Sequence, residues 1–156
     1  MAWSNSKIFT AMLLDGLGNT TALDLDADTP KVSLHNNSIT PDQTVTSAAS
    51  AYNTGVWTTT NEVTDASGWP AGGRPLATIT WTRSSNIVTY DAADTVSANS
   101  TTTLAAVFGC LVYDDTLTTP VADQGMSYHY FGGTQSVSSG QFTIVWNASG
   151  IQQYTL

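Results

Sequence analysis

Over residues 126–156 the chain is expected to turn every few residues. Four runs of β-formers, 126–131, 134–137, 141–146 and 151–156, are cut by Gly132-Gly133, by Ser138-Ser139-Gly140 and by residues 147–150. Glycine reaches the positive φ that tight hairpin turns require, so the spacing predicts short antiparallel strands joined by turns. The same language holds upstream. Val32-Ser33-Leu34 lies between Pro30 and Asn36-Asn37, a strand bounded by turn formers. Residues 78–82 alternate strictly, and Ser84-Ser85-Asn86 links them to Ile87-Val88-Thr89-Tyr90, which reads as a hairpin. The run 104–113 is apolar at nearly every position, as expected of a central strand covered on both sides. Gly109 and the β-branched content argue against a helix there.

One helix is expected, over residues 4–17. Ser4 or Ser6 can cap it, Ile8, Phe9, Met12 and Leu13 form one apolar stripe, and Gly16 and Gly18 suit its end. Asp15 sits badly there, because a helix C-terminus favours cations. The resulting expectation is a mostly β protein, an antiparallel β-sandwich or barrel with one short N-terminal α-helix. It forms one domain over 1–156, in which 1–18 make an N-terminal arm and helix. Residues 38–75, rich in Thr, Asn, Gly and Pro, read as a long loop, and so much loop in a compact domain is often functional.

Composition removes several functions. Four Lys+Arg against 12 Asp+Glu give a formal charge of -8, which leaves no basic face for nucleic acid. Five Trp, six Tyr and four Phe argue against disorder. The apolar run 11–14 is too short to span a membrane and lacks a signal-peptide cleavage site, so folding in a cytoplasm is expected. Cys110 is a single cysteine, and His35 and His129 lie far apart, so neither a disulfide nor a zinc finger is expected.

Candidate chemistry is sparse. Asp24, Asp26 and Asp28 open like a calcium loop, but Thr29 stands where the turn glycine belongs and His35 where the last glutamate would be. A solvated acidic turn is the better reading, and no metal or other cofactor is expected. There is no nucleophile elbow and no phosphate loop, and Cys110 lies in an apolar run where a thiol is packing. No catalytic residue is assigned and no enzyme is expected.

The tryptophans divide. Trp81 and Trp146 alternate with β-formers and read as core. Trp3, Trp57 and Trp69 fall in terminus or loop, where they either plug the ends of a sandwich or present an interface. Trp3, Ile8, Phe9, Trp57 and Trp69 are therefore the candidate partner-contact residues. On that reading, removing residues 1–9 abolishes association and leaves the sandwich folded. A glycan-binding module stacking sugars on Trp57 and Trp69 is an alternative.

Most of the chain resembles small structural proteins (minor capsid or head decoration) of tailed phages infecting actinobacteria. The resemblance rests on Met1-Ala2-Trp3-Ser4, Ile8-Phe9, 23–29, Ala51-Tyr52-Asn53, Asn61-Glu62-Val63, 69–73, 104–115, 130–137 and Val145-Trp146-Asn147. Pro30 departs from the aromatic more usual in that pattern, so the start of its strand is expected to differ. The resemblance implies a non-enzymatic virion protein that decorates or cements the outer surface of an icosahedral head. Its implied partners are the major capsid protein and its own copies, as a homotrimer, with no nucleic acid and no membrane. A tail or head-tail component is the alternative within that resemblance. The strand at 104–113 would then be either domain core or trimer seam.

Overall fold

The computed structural model describes residues 3–156. Its C-terminal half is one long hairpin folded over on itself. Residues 87–114 and 125–155 stay antiparallel throughout: Ile87 faces Thr155, Tyr90 faces Gln152, Thr95 faces Ile144, Thr102 faces Gly140 and Tyr113 faces Gly125. Loops and bulges split this ladder into three strand pairs. They are β5 (Ile87–Asp91) with β10 (Gln152–Thr155), β6 (Thr95–Val96) with β9 (Thr143–Ile144), and β7 (Thr102–Asp114) with β8 (Gly125–Gly140).

The rest of the chain adds strands to either end. β4 (Thr80–Ser84) pairs with β5 through the expected hairpin, giving the order β10-β5-β4. β1 (Lys7–Ile8), β2 (Pro30–His35) and β3 (Arg74–Pro75) complete a sheet of order β1-β8-β7-β2-β3. All pairings are antiparallel, so the mostly β class stands, with a sandwich-like arrangement of sheets around a common interior. Val32, Leu34, Leu111 and Met126 bring apolar bulk from the larger sheet, and Tyr90 and Ile151 from the smaller. Gln152 Nε2 donates to Ser127 Oγ at 3.1 Å, tying the two. Each such buried side chain contributes roughly 1.5–3 kcal/mol relative to exposure. Pro30 is the first residue of β2, a position where the missing N–H costs little.

Two strand boundaries differ from expectation. Gly132 and Gly133 do not turn the chain; they lie inside β8 with φ of +78° and +151°. The ladder shifts register on either side of Val107, and Ala106, next to it in β7, has φ +57°. A bulge uses the same positive φ as a turn, so glycine marks both alike. In β7, Leu104 and Val107 are buried while Ala105 and Ala106 are exposed; only 109–114 is covered on both faces.

The helix is shorter than predicted. Lys7 and Ile8 pair with Tyr128 and Ser127 as β1, so α1 spans only Thr10–Leu17. Strand pairing satisfies the backbone that the first helical turn would have used, and Phe9 takes the N-cap position with no side-chain bond. Ser6, expected to cap, instead accepts from Tyr130 N at 3.0 Å. At the other end Asn19, not a glycine, takes the left-handed conformation (φ +53°). Its N–H reaches Gly16 O at 3.3 Å and that of Thr20 reaches Asp15 O at 2.9 Å, closing the helix. Asp15 is explained by its partners. Its carboxylate accepts from Ser47 Oγ, Gln124 Nε2 and Thr20 Oγ1, and these donors, Ser47 foremost, hold its pKa below the usual value.

Residues 36–73 form a covering layer rather than a free loop. A one-turn helix, α2 (Ser47–Ser50), is capped by Thr46, and Ile39, Ala51, Trp57 and Trp69 are buried beneath the layer. Glu62 braces it from within, its carboxylate accepting from Tyr52 OH at 2.8 Å and Gly72 N at 2.9 Å, and Tyr113 of β7 pins it by donating to Gly72 O at 2.6 Å. Tyr52 stacks on Tyr113 with centroids 4.8 Å apart.

Candidate docking groove

Four of the five expected contact residues are interior. Trp3, Phe9 and Trp69 are 0% exposed and Trp57 is 1% exposed. Trp3, Phe9, Trp57 and Tyr128 pack together with centroids 5.5–6.2 Å apart, edge to face except for the tilted Trp57–Tyr128 pair. Trp3 Nε1 donates to Asn36 O at 2.9 Å and Trp69 Nε1 to Val32 O at 3.3 Å, which satisfies the polar end of each ring. A side chain without exposed surface offers nothing to a partner, so these residues are core. Only Ile8 is partly exposed, against a shallow polar hollow with Gln43 and His129. The two tryptophans expected in the core, Trp81 and Trp146, are only half-buried.

His35 and Cys110 are fully buried, while His129 is half-buried at the edge of the hollow beside Ile8. His35 hydrogen-bonds Ser33 Oγ and His129 hydrogen-bonds Ser127 Oγ, each at 3.0 Å. Burial lowers the two imidazoles to about 3 and about 4, so both are neutral at pH 7. Burial raises the Cys110 thiol far above its usual range. In the acidic turn, Asp28 Oδ2 accepts from Asp24 N at 2.7 Å, and Asp24 O accepts from Asp28 N at 2.7 Å. Among the described residues no three acidic, histidine or cysteine side chains converge as metal ligands. Nor is any helix among them long and apolar enough to cross a membrane.

Asp28 does meet another acid. Asp114 is fully buried, its Oδ1 accepts from Thr116 N at 2.9 Å, and its Oδ2 has no donor. Burial, and then the Asp28 carboxylate beside it, push its carboxyl up to about 7. A proton on Asp114 satisfies both acids. An acid whose folded pKa is raised stabilises the fold below its unfolded pKa of about 4 and loses that contribution as pH rises through about 7. His35 and His129 titrate in the opposite sense below about 6.5, since their neutral folded forms lose stability as pH falls. The clean readout is therefore a difference. Asp114→Asn keeps the Thr116 bond and donates to Asp28 without a proton from solvent. Its stability relative to wild type, read as a shift in melting temperature, should rise from pH 5 towards pH 7, by up to about 1.4 kcal/mol per pH unit, and level off above that. A difference that stays flat in thermal melts across that range would refute the shared proton.

The exposed apolar surface lies elsewhere. Met12 faces the core from α1, while Leu14 and Leu17 of the same helix are 73% and 88% exposed. Leu17 joins Leu23, Leu25, Trp81, Val88, Tyr154 and Leu156, the last 89% exposed, in walling an open groove of about 520 Å³. Three surfaces build it: the side of α1 that carries Met12, Leu13, Gly16 and Leu17, the turn after it, and the β10-β5-β4 sheet. Trp81 leans on Tyr90 at 5.0 Å and stacks over Tyr154 at 6.1 Å, which holds the indole as a fixed wall. Asp26 is the only charged group in the lining. Such a surface has no reactive centre; it can hold apolar side chains of a partner. Comparison with protein-family models, with curated proteins and with solved structures found no match.

Proposed function

We propose that the protein is a non-enzymatic structural component of a phage virion, a decoration or cement protein that docks on the outside of the head shell against the major capsid protein. It is made in the host cytoplasm and ends on the capsid exterior. The observation that carries this reading is the groove: half-buried apolar walls flanked by the exposed Leu17 and Leu156, on a surface rich in Thr, Ser, Asn and Asp. Apolar patches of that kind mark association surfaces. The resemblance set out above supplies the partner. A charge of -8 fits the setting, because it keeps free copies soluble and away from packaged DNA. Many modest contacts then add up through effective concentration across the shell. The glycan reading is not retained, since Trp57 and Trp69 have no surface on which a sugar could stack.

The test uses heads of an encoding phage stripped of this chain. Wild-type protein should co-sediment with them and restore their heat resistance. The double variant Leu17→Glu, Leu156→Glu changes only exposed positions and should bind at least about tenfold more weakly, a loss of ~1.4 kcal/mol. Wild-type protein that ignores the heads, or a variant that binds equally, would defeat the proposal. Copy number places the protein within the virion: hundreds per particle fit decoration, whereas a few or tens move it to the tail or head-tail region.

A further inference from the structure

We infer that two copies of this chain pair edge to edge through β4, about a two-fold axis at Thr82. β4 is the outer strand of its sheet, and all of it is exposed except half-buried Trp81. Its hydrogen-bonding phase follows from the turn. Ser85-Asn86 is a two-residue link, so Ser84 and Ile87 form the bonded pair that closes the hairpin. Bonded pairs alternate along an antiparallel ladder, which makes Thr82 with Thr89 and Thr80 with Asp91 bonded as well. The backbone N–H and C=O of Trp81 and Arg83 therefore point outward, and among the described residues no group of the chain meets them.

A second β4 laid antiparallel, with Thr82 facing Thr82, sets Trp81 opposite Arg83 and Arg83 opposite Trp81. Both pairs fall in the bonded phase, giving about four main-chain hydrogen bonds across the axis. The side chains agree with that register. Trp81 and Arg83 lie on the same face of β4, so each guanidinium is brought beside the partner's indole, where a cation is attracted to the ring. Arg83 has no ion-pair partner of its own; the salt bridge among the described residues joins Lys31 to Asp115. Sliding the axis to Arg83 would instead set the two guanidinium groups against each other. On the opposite face Thr82 meets Thr82, a favourable cross-strand pair.

Edge strands that stay single are shielded by charged side chains, proline, a bulge or a covering segment. β4 has no proline and no bulge, and its one charge, Arg83, is matched in the dimer by the tryptophan across the axis. Self-pairing stands on strand geometry alone and does not depend on the virion reading. It replaces the trimer implied by the resemblance with a dimer whose two grooves lie side by side on one face.

The experiment is sedimentation equilibrium of the full chain at micromolar concentrations, with hydrogen exchange read at single amides. Wild-type protein should run at twice 16.5 kDa, with the amides of Trp81 and Arg83 protected in the dimer and exchanging freely on dilution. Arg83→Pro removes an outward N–H that β5 does not use, so the variant should be monomeric with an unchanged circular dichroism spectrum. Should that variant fail to fold, the concentration-dependent protection of Trp81 in the wild type still decides. A monomer or trimer, a dimer that survives Arg83→Pro, or protection of Trp81 that ignores concentration would each overturn the proposal.

Discussion

Removing residues 1–9 unfolds the protein, and replacing Trp3 with Ala destabilises it, rather than freeing it from a partner. Trp3 has no exposed surface, and its ring lies among Trp57, Tyr128 and Tyr130 at centroid distances of 5.7, 6.2 and 6.4 Å. It sits so close to β7 that a Cβ at Gly109 would come within 2.6 Å of the indole. Truncating such a side chain to Ala leaves a cavity and costs about 3–5 kcal/mol. A domain's whole stability is only about 5–15 kcal/mol. Deleting 1–9 also removes Phe9 and β1, exposing the edge of β8. Trp3→Ala should lower the urea midpoint with an unchanged m-value, and the truncated chain should show no cooperative transition. A truncated chain that melts like the full one and merely loses association would restore the arm-and-contact reading.

That reversal shows where the sequence was legible. The β4–β5 hairpin and the strand at Val32-Ser33-Leu34 could be read because alternation and turn residues act locally. Period 2 says which side chains share a face, but not whether the face is covered. Trp81 and Trp146 alternate correctly and still sit half-open, because no layer closes over them. Trp3, Trp57 and Trp69 have no periodicity at all, and only the folding of residues 36–73 over the sheet buries them. The groove was equally hidden, because its walls come from α1, the following turn, β4, β5 and β10. One local signal existed: Leu14 and Leu17 extend the apolar character of α1 beyond the stripe that a single buried face needs. Asp28 and Asp114 meet only because Pro30 pairs with Asp114 across β2 and β7.

The covering layer depends on one backbone approach, and a pair of glycine variants isolates it. Gly72 and Gly73 have nearly the same conformation, with φ of +83° and +78°. A side chain at either position therefore meets a similar left-handed penalty, roughly 1–2 kcal/mol. Their surroundings differ. A Cβ on Gly72 would reach only the Tyr113 hydroxyl at 3.5 Å and the Tyr52 hydroxyl at 4.0 Å. A Cβ on Gly73 would stand 2.0 Å from Val32 O and 2.8 Å from Ser33 Cα, inside the backbone of β2. That backbone cannot retreat, because β2 is paired to β7 over six residues. Val32 O also accepts the Trp69 indole N–H, so a shift there disturbs the tryptophan as well. Gly73→Ala should therefore add an overpacking cost of about 1–3 kcal/mol to the penalty that Gly72→Ala alone suffers. Urea denaturation of the two variants side by side reads that gap directly. Equal midpoints would mean that β3 does not hold the layer against β2, and that residues 36–73 are anchored through Tyr113 and the buried tryptophans alone.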